Sequence, residues 1–375
     1  MINYGKHKID SKDIREVSKV LKSDFLTSGP KVEQFEKKLI KKFGGKFCTA
    51  VNSGTSALHL LGKALNWKKN DIIATTPISF IATSNCIVNN NAIPEFIDIE
   101  KETYTIDLNK LENKLKRKRF KAVIAVDYAG HPCDWEGLKY LSKRYNFTLI
   151  NDACHSMGAK YKLSQKYAIR YADFVTQSYH PVKTFTTGEG GSIISKNKFI
   201  DEKIKLMRNH SMIKNKRFDP WVYKIFSSGM NYRITDLQCA LGISQLDKLE
   251  KNIIERRKIA KKYLLNLVEC ENFILPKELP QNYHAYHLFP LQVLFEKLKI
   301  DKKKMFKIFS NIGVKLQVHY IPIHLQPYYK KNFKINRKEL VNSEEFYKRA
   351  ISLPIYPGLK KKDLSMIVNQ LRLIN

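Results

Sequence analysis

Asp173–Ser195 reads DFVTQSYHPVKTFTTGEGGSIIS. It opens on an apolar, β-branched run ending at Ser178 and closes on a second, GSIIS, with Lys183 in the glycine-rich loop between them. Short runs of this kind bounded by turn residues are strand signals, and glycine lets backbone approach closely. Working outward toward the N-terminus, the pattern recurs in FCTAV (47–51), DIIAT (71–75), PEFIDI (94–99), KAVIAVD (121–127) and FTLIND (147–152). Helical patterns such as SALHLLGKALN (56–66) and LNKLENKLKRK (108–118) alternate with them, their apolar residues at i, i+3, i+4 spacing. Strands alternating with helices predict an α/β fold with a mainly parallel, seven-stranded sheet.

Ahead of the sheet, Val32, Phe35, Leu39 and Phe43 follow Pro30, a residue suited to the first turn of a helix. Beyond it, Thr235 and Gln238 have the spacing of a capping box. They open what reads as one long helix through LGISQLDKLEKNIIERRKIAKKYL (241–264). A chain of 375 residues exceeds one compact core. The expected division is a large domain over 1–245 and, over 246–375, a linker helix with a smaller α/β domain. The smaller domain has strands near HLFPLQVLF (287–295) and KLQVHYI (315–321).

Composition narrows the function. No charged-then-apolar leader opens the chain and no apolar run approaches the roughly 18 residues that span a bilayer, so a cytoplasmic protein without a membrane role is expected. The six cysteines (Cys48, Cys86, Cys133, Cys154, Cys239, Cys270) show no CxxC pair and no metal-ligand spacing. They read as buried free thiols, with no metal site. The formal charge of +32 is what a nucleic-acid partner would want. The lysines, however, spread along the whole chain on polar helix faces, and the densest run, KLKRKRFK (114–121), closes a predicted surface helix. A solvated, lysine-rich surface without nucleic acid is the better reading.

Three segments hold groups that could do chemistry. FTLIND ends in Asp152, at the carboxyl end of a predicted parallel strand where open α/β sheets bind ligands; spacing alone reads it equally well as a helix N-cap. VNSGTSALHL (51–60) is a strand, a small-residue turn and a helix start, which aims backbone N–H groups at an anion. Phe80, after a strand and a proline turn, reads as a core aromatic, Asn231 as turn chemistry and Lys183 as solvated surface, when each is taken alone.

Together the strings resemble the DegT/StrS-type nucleotide-sugar aminotransferases, over about residues 4–360. The motifs are TTPISFIATSN (75–85), VDYAGHP (126–132), SYHPVKTFTTGEGG (178–191), GMNYRITDLQCALGISQL (229–246), VHYIPIHLQPYY (318–329) and ISLPIYPGL (351–359). The resemblance implies the fold type I architecture of aspartate aminotransferase and pyridoxal 5'-phosphate as cofactor. It makes Lys183 the cofactor lysine, Asp152 the partner of the pyridine nitrogen and His155 a neighbour of the cofactor's phenolic oxygen. Gly54, Thr55, Ser56 and Ser178 would cradle the phosphate, Phe80 would lie against the ring, and Asn231 would reach the phosphate of a neighbouring subunit, making the functional unit a homodimer. Tyr4, Leu26, Thr27, His319 and Tyr320 would contact the sugar. The branch most similar in its motifs serves the pseudaminic-acid pathway and implies a UDP-linked 4-keto-6-deoxy-N-acetylhexosamine as substrate, with L-glutamate as amino donor. Tyr179 stands where Phe is more usual and Ser211 where Gly is usual. A dehydratase branch has histidine at the position of Lys183, so the lysine argues for amino transfer. The alternatives are a transaminase for another GDP-, dTDP- or UDP-linked keto sugar and, motivated only by the charge, a non-catalytic nucleic-acid-binding or regulatory protein on the same fold.

Overall fold

The computed structural model describes residues 1–215, 217 and 219–375. Its main sheet contains all seven expected strands: β1 (Phe47–Val51), β2 (Ile72–Thr75), β3 (Ile93–Phe96), β4 (Ala122–Val126), β5 (Thr148–Asp152), β6 (Phe174–Ser178) and β7 (Gly191–Ser195). They lie in the order β1-β7-β6-β5-β4-β2-β3. β2 pairs in parallel with β3 and β4, β4 with β5, and β5 with β6, while β7 runs antiparallel between β1 and β6. Parallel strands bring their carboxyl ends to one edge, and Asp152 and Ser178 are the last residues of β5 and β6.

Helices cover both faces. They are α1 (Ser11–Leu21), α2 (Pro30–Phe43), α3 (Gly54–Ala64), α4 (Ala82–Asn89), α5 (Leu108–Leu115), α6 (Trp135–Tyr145), α7 (Tyr167–Tyr171), α8 (Lys198–Arg208), α9 (Asp236–Leu246) and α10 (Leu249–Leu267). The two-residue period of a strand sends Val123 and Ala125 of β4 into a core with α2, α5 and α6, and Ala122 and Ile124 into a core with α3, α4 and α8. A sheet buried on both sides accounts for the near-continuous apolar strands of the sequence.

The long helix expected from Thr235 onward is broken. The capping box of Thr235 and Gln238 forms, but α9 ends at Leu246 and α10 starts at Leu249. The Lys248 N–H turns back to the Gln245 carbonyl at 3.0 Å, and Lys38 and Lys12 hold the Asp247 carboxylate at 2.5 and 3.1 Å. The break lets α9 pack on α1 and α2 while α10 departs on another line. Leu249 and Ile253 of α10 belong to the core of the main sheet, whereas Ile259, Ala260, Tyr263 and Leu267 belong to a second core. That second core is built on the antiparallel strands β8 (Phe273–Ile274), β9 (Phe289–Val293) and β10 (Ala350–Leu353), in the order β8-β9-β10. The extreme N-terminus joins it, because Ile2 bridges Val314 and packs on this core.

KLQVHYI does not form the strand expected of it. Gln317 makes one bridge, to Ser352 of β10, after which the chain leaves the sheet. The His319 carbonyl, which a ladder would use, accepts the Tyr128 hydroxyl instead, and the His319 Nδ1 lies 2.8 Å from the Ser352 Oγ.

The starts of α2 and α9 are fastened together by Asp236, whose fully buried carboxylate accepts the Gly29 N–H at 2.7 Å and the Lys31 N–H at 2.9 Å. These are donors that a helix N-terminus leaves unpaired. Asp236→Ala is expected to destabilise the protein by about 2–4 kcal/mol, since two buried N–H groups lose their acceptor. Asp236→Asn, with one carbonyl oxygen left, should fall between. Denaturant unfolding measures both, and wild-type stability in the alanine variant would contradict this account.

Candidate active site

A cavity of about 540 Å³ opens at the carboxyl edge of the main sheet. Its floor comes from the ends of β4, β5 and β6, one wall from the start of α3, and the opposite wall from the second core through His287 and Gln317–Tyr320. Tyr4 reaches it because the N-terminal segment is anchored there, the Tyr4 carbonyl accepting the Ile355 N–H at 3.0 Å.

Lys183, Asp152, His155, Ser178, Gly54, Thr55, Phe80, Tyr4, His319 and Tyr320 all line this one cavity. Lys183 is half-buried, and desolvation lowers the pKa of its amine. Cys154 and Asp152 oppose that shift, and Arg256 adds to it. Asp152 caps no helix. Its Oδ2 accepts the Thr83 hydroxyl at 2.8 Å and its Oδ1 the Cys154 N–H at 3.2 Å. Phe80 is 54% exposed, so it is no core aromatic, and its ring lies 6.0 Å from that of Tyr320.

His155 is held in a defined tautomer. The Ala129 N–H donates to its Nδ1 at 3.3 Å, which puts the ring proton on Nε2, 3.1 Å from the Tyr320 hydroxyl oxygen. Ala129 has φ of +57°, a backbone state that costs a non-glycine residue energy and recurs at functional sites. Burial, with Lys183 and His319 nearby, keeps the imidazole pKa well below its usual value.

The start of α3 makes an anion cradle. Ser53 is its N-cap, so Gly54 and Thr55 are its first residues, with N–H groups that have no intrahelical partner. Gly54 lies so near Ser178 that a Cβ there would come within 2.7 Å of the serine Cβ. An amine, a carboxylate at a fixed floor position and a helix N-terminus flanked by a hydroxyl suit a phosphorylated, ring-nitrogen cofactor that carries an aldehyde.

Four predicted residues lie outside this lining. Ser56 spends its N–H on Ser53 Oγ at 3.0 Å and its hydroxyl on Asn52 Oδ1 at 2.6 Å, so it braces the turn. Leu26 and Thr27 lie at the start of α9, Leu26 being 49% exposed and Thr27 bridged to Thr235. Asn231 is exposed and bridges Asn209. The segment leading to it exposes Trp221, Tyr223, Ile225 and Phe226.

Sequence reasoning missed several groups. Thr83 orients Asp152. His287, one residue into the predicted HLFPLQVLF strand, lines the cavity 4.5 Å from the His155 ring, its Nδ1 buried without a partner. Asp127, just past β4, is wholly buried and accepts from Cys133 N–H, Trp135 Nε1, Asn151 Nδ2, Ser156 Oγ and Tyr167 Oη at 2.6–3.1 Å. All six cysteines are free, five of them buried, and Cys154 faces the cavity. Among the described residues no cluster is placed to hold a metal ion and no helix is long and apolar enough to cross a membrane.

Residues 7–372 match the model of the DegT/DnrJ/EryC1/StrS aminotransferase family. The chain belongs to that family. It is 37% identical to the UDP-4-amino-4,6-dideoxy-N-acetyl-beta-L-altrosamine transaminase of Campylobacter jejuni, over 99% of this chain and 96% of that protein. It is 39% identical to an uncharacterized protein of Methanocaldococcus jannaschii, over 98% and 95%. Among solved structures, the Helicobacter pylori PseC, an aminotransferase involved in the biosynthesis of pseudoaminic acid, superposes with a TM-score of 0.91 at 31% identity. That superposition covers 100% of this chain and 99% of the other. The fold type I α/β architecture expected from the sequence is thereby established.

The buried histidines make the protein acid-sensitive. Burial lowers the His319 pKa to about 3 and the His131 pKa to about 4. Both remain neutral in the folded state while the unfolded chain takes up protons below about 6.5, so stability falls as pH drops through 6.5. Each should account for roughly 2 kcal/mol lost by pH 5 relative to pH 8. Thermal midpoints measured over that range should fall, and less steeply for His319→Gln. A flat profile would contradict the neutral, buried assignment.

Proposed function

We propose that the protein is a pyridoxal-phosphate-dependent transaminase of the cytoplasm. It would move the amino group of L-glutamate to C4 of UDP-2-acetamido-2,6-dideoxy-β-L-arabino-hexos-4-ulose, giving 2-oxoglutarate and UDP-4-amino-4,6-dideoxy-N-acetyl-β-L-altrosamine. The observation behind this reading is the meeting of Lys183, Asp152, Ser178 and the α3 N-terminus in one cavity. The altrosamine transaminases among its relatives support the choice of sugar.

The cofactor, when bound, supplies an electron sink for the bond that breaks at the donor's α-carbon. Lys183, the pKa of its amine lowered by burial, would hold the cofactor and then carry the proton lost from the donor's α-carbon. Asp152, fixed by Thr83 and the Cys154 N–H, would keep the ring nitrogen protonated. Gly54, Thr55 and Ser178 would bind the phosphate, Phe80 would cover the ring, and His155 would stand beside the phenolic oxygen. Tyr4, His319 and Tyr320 face the sugar. Leu26, Thr27 and Asn231, outside their own cavity, would serve the site of a second copy in a homodimer, and the exposed aromatic segment at Trp221–Phe226 is apolar surface suited to such a contact.

Purified protein given L-glutamate and a panel of UDP-, GDP- and dTDP-linked keto sugars should aminate the UDP-linked 4-keto-N-acetyl sugar, with the product identified by NMR. Preference for another nucleotide or for a 3-keto sugar would shift the substrate and leave the chemistry in place. No amino transfer to any of them would refute the reading. Asp152→Asn should still bind cofactor and slow turnover by about a hundred-fold or more, because a neutral amide cannot hold the ring nitrogen protonated.

Site sharing has its own test. Lys183→Ala chains mixed with Asn231→Asp chains form hybrids in which one site keeps both wild-type groups. With free exchange about a quarter of wild-type activity should return. No recovery, with exchange shown by native mass spectrometry, would place Asn231 in its own subunit's service.

A further inference from the structure

The backbone around Lys183 is held in an unusual way. Buried carbonyls need donors, and in a loop these ordinarily come from nearby backbone. The two peptide carbonyls that flank Lys183 take theirs from a distant helix. The Thr184 carbonyl accepts Asn252 Nδ2 at 3.0 Å, and the Val182 carbonyl accepts Arg256 Nη2 at 3.3 Å. Asn252 and Arg256 are four residues apart on α10, and so on one face of it.

Arg256 is 1% exposed and its hydrogen bonds go to carbonyls alone. Its Nη1 donates to Ile355, His287 and Tyr286 at 2.8, 3.1 and 3.3 Å, all in the C-terminal part of the chain. Its Nε has no partner, and burial lowers its pKa to about 10. A buried charge without a counter-ion is expensive, and packing alone would be served as well by an apolar side chain. What the guanidinium does here, and an apolar side chain could not, is join four carbonyls from two separate parts of the fold. One of them adjoins Lys183, and another belongs to His287, whose ring lines the same cavity.

We propose that Asn252 and Arg256 are a positioning pair for Lys183. One turn apart on the helix that passes from one core to the other, they grip the carbonyls on either side of the lysine and so fix the line along which its amine enters the cavity. The Lys183 N–H is tied locally, to the His180 carbonyl at 2.9 Å, and the Thr184 hydroxyl to the Met157 carbonyl at 3.0 Å. The pair therefore completes the fixing of a short backbone segment from which the lysine side chain enters the cavity. Neither Asn252 nor Arg256 lines the cavity, so their effect passes through Lys183 and the His287 backbone. This rests on the assignment of Lys183 as the cofactor lysine.

Two forms of the cofactor separate positioning from general damage. Pyridoxal phosphate condenses through its aldehyde with the Lys183 amine, with loss of water, and its retention depends on where that amine points. Pyridoxamine phosphate already carries an amine, makes no such bond, and depends only on the cradle and Asp152. Dissociation constants for both, measured by titration of cofactor-free protein, should respond differently. Asn252→Ala and Arg256→Met should each weaken pyridoxal phosphate at least ten-fold and pyridoxamine phosphate less than three-fold. Arg256→Lys, which keeps the charge but not the fork, should fall between wild type and Arg256→Met. The double variant should lose less than the product of the single losses, because both side chains hold one segment. If the two forms weaken together, or neither does, the pair has no positioning role. Should Arg256→Met fail to fold, Asn252→Ala alone decides, since it removes a single carbonyl contact. No sugar enters the measurement, so the outcome is independent of the substrate. Failure of wild-type protein to bind pyridoxal phosphate would instead overturn the proposed chemistry as a whole.

Discussion

The architecture of the site depends on one buried carboxylate. Asp127 stands immediately beyond β4 with no access to solvent, a position that raises the pKa of its carboxyl group, and five donors converge on it in opposition. Those donors come from the loop after β4, from α6, from β5, from the turn that follows Asp152 and from α7. One residue thereby ties the loop after β4 to the turn after β5, which brings Asp152, Cys154 and His155 to the cavity. Two residues on, Ala129 is held at positive φ and its N–H meets His155. A chain without Asp127 would bury five polar groups with one acceptor too few for each, which is the costliest kind of core error.

How much of this was legible in the sequence follows from the range of the interactions involved. Strands were readable because a sheet buried on both faces demands unbroken apolar runs, and the start of α9 because a capping box is complete within four residues. The break between α9 and α10 was not, because 241–264 keeps helical composition throughout. What ends α9 is the fit against α1 and α2, with Lys38 and Lys12 of those helices drawing on Asp247. KLQVHYI alternates like a strand, but its ladder carbonyl is taken by a tyrosine nearly two hundred positions earlier. Lys183, Asp152 and the α3 turn could be read because each sits at a strand end where the topology already places ligands, and the motif strings resolved what spacing left open. Asp127, Thr83, His287, Asn252 and Arg256 carry no local signal at all. Each matters through partners remote in sequence, so only the fold reveals them.

Charge is the other feature whose meaning changed once the fold was in view. The chain has 67 lysines and arginines, yet among the described residues Lys183 is the only one that lines the cavity. The other described ones lie outside, in part neutralised in ion pairs such as Lys114 with Glu95 and Glu339 within the basic run that closes α5. Fully exposed pairs, such as Lys37 with Glu33, contribute little to stability. A net +32 does, however, draw polyanions toward the protein from a distance, an attraction that salt screens within about a Debye length.

Inside the cavity the opposite economy holds. Burial lowers the pKa of the Lys183 amine and of the His155, His287 and His319 imidazoles alike, so positive charge on side chains is disfavoured where a phosphate would sit. The positive pole there is the α3 N-terminus, whose partial charge is roughly half an elementary unit, helped by uncharged N–H and hydroxyl donors. An anion held by dipoles leaves the nearby lysine free to lose its proton, whereas an ammonium or guanidinium salt-bridged to that anion would occupy the same space with fixed charge. The neutral imidazoles and the lowered lysine pKa are thus two consequences of one burial, in a cavity whose floor carries the carboxylate of Asp152, pinned by Thr83.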